Sequence, residues 1–178
     1  WGVLTYDFDE VVRTLNAVQP YDWAKFLDTT LRQSGQPAPL AGIEKGGYKL
    51  VWKEEPNIFD KERMKEGSNV DLTHSLGLSL DKDAKVTAVF WDGPAFKAGI
   101  VNGAKILAVD GYAYSKDRLM DAIRTAKDGK TPVRLLVERN KRYDQIDIAY
   151  SGGLRYPHLE PVAKGEAAID RLLAPRRK

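Results

Sequence analysis

The chain has 178 residues, 43% hydrophobic and 30% charged, enough for one generous domain or for a domain of ~100 residues with an extension, and too few for two large ones. Its formal charge is +3, but five basic residues of the tail (Lys164, Arg171, Arg176, Arg177, Lys178) against Glu166 and Asp170 account for the whole excess. The body therefore lacks the concentrated positive stripe that nucleic-acid binding requires. The chain has no cysteine, which excludes disulfides, thiolate metal sites and a cysteine nucleophile. No apolar run approaches the ~18 residues of a membrane span, and the start at Trp1, with neither methionine nor a signal-peptide pattern, reads as an internal cut or a processed end.

Phe8, Val11, Val12, Leu15 and Val18 share one helix face, with Asp7 and Asp9 placed to cap its start and Pro20 to end it. A second helix follows. Asp22 can cap it, Trp23, Phe26, Leu27 and Leu31 form its apolar stripe, and Gly35, Pro37 and Pro39 close it. Two such short stripes cannot bury one another fully, so the hairpin is expected to pack on something larger. Tyr48 to Trp52 reads as a short strand. Asp60 to Asn69 is so charged that it reads as a solvated linker and domain boundary, with a charged helical turn inside one domain as the alternative.

From Val70 onward short strands alternate with turn chemistry. Leu76–Leu80 and Lys85–Trp91 are predicted strands, and Pro94–Ala98 is a one-turn helix with proline first and Gly99 just past its end. Lys105–Val109 leaves through Asp110-Gly111 toward Tyr112 and Tyr114. Ser115 can cap a helix running to Lys127 with the stripe Leu119, Ala122, Ile123 and Ala126. Val133–Val137 and Tyr143–Tyr150 complete the strands around a charged turn at Glu138–Arg142. The tail carries a weak helix using Ile169, Leu172 and Leu173.

Catalytic chemistry is sparse. His74 and His158 are far apart, and no His-Glu-x-x-His helix is present to place two metal ligands beside a carboxylate base. There is no Gly-x-Ser-x-Gly elbow, no phosphate-cradling loop, and no carboxylate pattern that separates a general acid from surface charge. The informative stretch is Leu76, Gly77, Leu78, Ser79 and Leu80. A glycine between leucines before an alternating strand lets successive N–H groups face one concavity, suited to a peptide carboxylate. The following strand can then pair with a peptide, with Leu119, Ala122, Ile123 and Ala126 as the opposite wall. The competing reading is that Gly77 marks a bulge or turn and the leucines are core.

Residues 70–150 resemble a PDZ domain of the bacterial protease-associated type in the Leu76-Gly77-Leu78 loop, the Asp92–Gly111 segment and the long helix after it. The first loop position, Leu76 after Ser75, departs from that pattern. Leu15–Val18, Pro20–Trp23, Gly47–Val51, Pro56-Asn57, Asp71-Leu72 and Tyr156–Leu159 extend the resemblance across nearly the whole chain, to the C-terminal part of the glycyl aminopeptidase family. Those are zinc metallopeptidases with a thermolysin-like catalytic domain, helices and a PDZ domain. The resemblance implies that zinc and the catalytic residues belong to a domain upstream of Trp1, so this chain is expected to hold no cofactor and no catalytic residue.

The expected fold is α+β: a PDZ-like, partly open β-barrel or sandwich with two helices over 70–150, a helical hairpin over 1–40, a strand and charged linker over 41–69, and a C-terminal strap with a short helix over 151–178. The expected function is non-catalytic binding of substrate or partner C-termini by β-augmentation, assisting proteolysis by the zinc domain. The alternative is a structural or docking domain whose groove is self-occupied or packs on the catalytic domain. The expected partners are peptide or protein C-termini and the chain's own catalytic domain. The resemblance also implies a periplasmic or otherwise exported location.

Overall fold

The computed structural model describes residues 5–35, 38–67 and 69–175. Trp1, Pro37, Ser68 and Arg176–Lys178, to which the sequence assigns roles, lie outside these. The chain divides into two compact units, Trp1–Gly47 with Ala163–Lys178, and Tyr48–Val162.

In the first unit, α1 (Phe8–Val18) is capped by Asp7, whose carboxylate accepts the Glu10 N–H at 2.7 Å, and α2 (Trp23–Arg32) by Asp22, which accepts from Lys25 at 3.1 Å. Neither helix contains a fully buried residue, and the stripe positions Val18 and Leu31 are 82% and 73% exposed. Tyr21, Trp23 and Phe26 pack edge to face, with ring centroids 5.0–6.2 Å apart, and the Lys45 ammonium lies 3.7 Å from the centre of the Tyr21 ring. A short α3 (Ala41–Lys45) follows. The chain's last helix, α7 (Ala168–Leu173), belongs to this unit: the Ile169 N–H donates to the Gly46 carbonyl at 3.1 Å. Its Ile169 side chain covers Gly46 so closely that a Cβ there would lie 2.3 Å from Ile169 Cδ1. Leu172 and Leu173, the other apolar residues of the predicted tail helix, face solvent.

The second unit opens with β1 (Tyr48–Lys53), which pairs antiparallel with β9 (Tyr156–Pro161), Tyr48 opposite Pro161 and Lys53 opposite Tyr156. The charged stretch, read as a linker with a helical turn inside one domain as the alternative, is helical: α4 (Ile58–Gly67). Asn57 caps it, accepting the Asp60 N–H at 2.8 Å while its own amide donates to Asp60 and to the Pro157 carbonyl, both at 2.9 Å. Only Met64 of this helix is buried, so the charges sit on its solvent faces, and an apolar period never appears in the sequence.

A three-stranded antiparallel sheet follows in the order β2 (Val70–Leu72), β3 (Leu78–Leu80), β4 (Val86–Val89). After α5 (Pro94–Lys97) comes a four-stranded antiparallel sheet, order β6-β5-β7-β8, from β5 (Lys105–Val109), β6 (Tyr112–Ala113), β7 (Val133–Arg139) and β8 (Arg142–Ile148). Backbone bonds between Val86 and Ala104 (2.7 Å) and between Ile106 and Ala84 (2.9 Å) link the two sheets at one corner. The class is α+β as expected, but the sheets do not close into a barrel. The turn read over Glu138–Arg142 shrinks to Asn140-Lys141. Both have positive φ (51° and 62°), the two-residue geometry whose twist matches the strands it joins.

The long helix α6 (Lys116–Thr125) begins at Ser115, whose hydroxyl accepts the Arg118 N–H at 3.2 Å. It buries Leu119, Met120, Ala122 and Ile123. With Leu72, Leu76, Leu78, Leu80, Ile106, Leu135 and Ile148 these form one core, and every buried hydrophobic among the described residues, from Met64 to Tyr156, lies in this unit.

Candidate functional site

The site is built on the turn between β2 and β3. Gly77 has φ +76°, a region that costs a side chain ~1–2 kcal/mol, and a Cβ there would also meet Gly93 Cα at 3.4 Å. The close approach lets the end of β4 and the start of α5 lock the loop: the Phe90 N–H donates to the Gly77 carbonyl and the Ala95 N–H to the Leu76 carbonyl, both at 2.8 Å. The N–H groups of Ser75 and Gly77 are thereby turned toward one point, and the atom found there is the Leu72 carbonyl oxygen, at 3.0 and 2.9 Å. The predicted concavity of amides exists. It is filled by the chain itself.

The expected open edge along Leu78–Leu80 is likewise taken. β3 is the central strand of its sheet, with β4 on one side and β2 on the other, Leu72 opposite Leu78, Asp71 opposite Ser79 and Val70 opposite Leu80. Leu76, Leu78 and Leu80 are buried, as are Leu119, Ala122, Ile123 and Ala126. Periodicity cannot tell core from groove, and at these positions the structure uses them as core. Ser79 alone among the candidate side chains is part-exposed, its hydroxyl 3.4 Å from that of Thr73.

Residues outside the predicted site complete the enclosure. The buried Ser75 hydroxyl accepts the Arg155 N–H at 3.0 Å, and buried Tyr156 donates its hydroxyl to Met120 Sδ of α6 at 3.7 Å. Burial pushes the Tyr156 phenol up to about 12, with the negative charges of Asp71 and Asp60 adding to it. Asp71 is held below the usual carboxylate range: burial acts upward, but hydrogen bonds from the Thr73 side chain and backbone and the charge and hydrogen bond of Arg63 outweigh it. Arg63 of α4 pairs directly with Asp71. The alternation Val70-Asp71-Leu72 was the available signal for β2, though three residues are too few to establish a period.

The histidines do not converge. His74 packs against Trp52 with ring centroids 4.9 Å apart, Arg155 lies 4.5 Å from the centre of the same indole, and His158 Nε2 is 2.7 Å from the Glu55 carbonyl. Among the described residues no three His, Asp or Glu side chains stand together as a group that could hold a metal ion. No described helix is long and apolar enough to cross a membrane.

A glycine loop feeding β3, a proline-started one-turn helix behind it and α6 packed in the same core make up one α+β module. No protein-family model matches the chain, and no curated protein does. Among solved structures the chain is similar to an aminopeptidase N family protein from Idiomarina loihiensis, with 15% identity and a TM-score of 0.49 over 88% of this chain and 27% of that one. It is also similar to a PDZ domain protein from Parabacteroides distasonis, with 13% identity and a TM-score of 0.35 over 88% and 41%. A third similarity is to the HtrA3 PDZ domain bound to a phage-derived ligand, FGRWV, with 18% identity and a TM-score of 0.31 over 64% and 92%. The chain thus spans about a quarter of the Idiomarina protein's length.

Proposed function

We propose that this chain is the non-catalytic, PDZ-like C-terminal part of a zinc metallopeptidase, with the zinc and the catalytic residues in a separate domain, and that its module receives strand termini at the β3 edge. The observation that carries this reading is the pair of Ser75 and Gly77 amides converging on the carbonyl that ends an antiparallel strand. Paired N–H donors at the end of a strand edge are the chemistry that captures a peptide carboxylate. A second reading, a docking domain with a closed groove, is supported by the presence of β2 in that place.

Titration with matched free-acid and amidated peptides, followed by calorimetry, separates the two. The free acid is expected to bind at least ten-fold more tightly, and equal affinity would remove the amide pair from the account. The isolated chain is expected to show no aminopeptidase turnover with added zinc, and turnover would overturn its non-catalytic assignment.

A further inference from the structure

We infer that Val70–Leu72 is a resident ligand of the β3 edge, a tethered strand that exchanges with a free C-terminus carrying an apolar last residue, an uncharged polar residue before it and an apolar one before that. This rests on the reading of the module as a receiver of strand termini.

The first ground is direction and register. β2 runs antiparallel to β3 and ends at Leu72, opposite the first residue of β3, where its carbonyl accepts the two loop amides. That is the position and polarity of the last residue of an added peptide strand. The second is side-chain alternation. Val70 and Leu72 are 2% and 1% exposed, whereas Asp71 is part-exposed and paired with Arg63. An incoming peptide would bury equivalent groups, so the exchange replaces like with like and leaves the core intact.

The third ground is the balance between tether and charge. A strand attached through a short loop competes at an effective concentration of ~mM, so a free peptide of equal intrinsic affinity is held off. A free C-terminus has one advantage over Leu72: its carboxylate accepts the Ser75 and Gly77 amides as a charged group, and such hydrogen bonds are roughly twice as strong as neutral ones. The Arg63–Asp71 pair, reaching from α4 to β2 and not made by an incoming chain, opposes that advantage. It acts as a latch on the resident strand.

The native chain has no cysteine, so a D71C/S79C variant carries one thiol pair, at directly opposed positions of β2 and β3. Reduced, it lacks the latch; oxidised, it cannot release the strand. Calorimetry with a peptide ending in Val-Ser-Leu and a free carboxylate, which cannot pair with Arg63, is expected to show binding to the reduced form and at least ten-fold weaker binding to the oxidised form. Arg63→Ala in the native chain is expected to raise affinity by about two- to five-fold, the scale of an exposed ion pair. Equal binding in both redox states would overturn the resident-ligand assignment while leaving peptide recognition standing at another surface. Binding in neither state would overturn both. Native-state hydrogen exchange on the unmodified chain gives an independent check. The Ser75 and Gly77 amides are expected to exchange through a local opening, and exchange only at the global unfolding rate would show that the strand never leaves.

Discussion

Tyr156 ties the strap that follows β8 to the core. Its phenol is raised from 10.0 to about 12, chiefly by burial, so the folded chain holds this proton more tightly than the unfolded one. Stability is therefore fully present below pH 10 and falls as pH rises toward 12. Tyr114 and Tyr150 are raised by burial too and contribute to the same limb. Tyr156→Phe is expected to flatten the largest share of that alkaline loss in urea titrations run between pH 9 and 12. An unchanged slope would show that the phenol is not held neutral by the fold. Asp71 works in the opposite sense. Its lowered value means that the stability it adds is present at neutral pH and is lost as pH falls below 3.8.

At the scale of elements, α4 depends on its cap. Asn57 is bonded to both ends of Asp60 and to the Pro157 carbonyl of β9. Asn57→Ala is expected to cost about 1 kcal/mol in denaturant unfolding and to reduce helical circular dichroism, whereas a loss within error would show that the helix start is held by other contacts. The contrast between α4 and α6 marks what the sequence makes legible. In α6, Leu119, Ala122 and Ile123 repeat at helical spacing, and a capping serine sits just ahead of them, so type, start and buried face are all readable. In α4 one methionine meets the core, and the surrounding charges resemble a linker. The candidate site divides in the same way. Gly77 and its loop are readable because positive φ selects glycine. Whether the β3 edge is open is a property of another segment, β2, too short to carry a pattern. Trp52 and Arg155, which stack more than a hundred positions apart in sequence, leave no local signal either.

At the scale of the whole molecule the two units differ in self-sufficiency. All the buried hydrophobic residues described belong to Tyr48–Val162, while α1 and α2 bury none completely. Residues 48–162 expressed alone are expected to unfold in one cooperative transition with a midpoint near that of the full chain. A broad, low transition would show that the flanking segments support the core. The ribbon of β1 and β9 has a further consequence, for the order of assembly. Pairing Tyr48 with Pro161 closes a loop of more than a hundred residues. Closure entropy rises only with the logarithm of loop length, so the cost to final stability is small, but the cost in time is not. During synthesis β1 has no partner until β9 has emerged, more than a hundred residues later, and Gly46 receives Ile169 later still. The first strand of this unit is therefore paired last, and the interval in which β1 stands uncovered is set by the rate of translation.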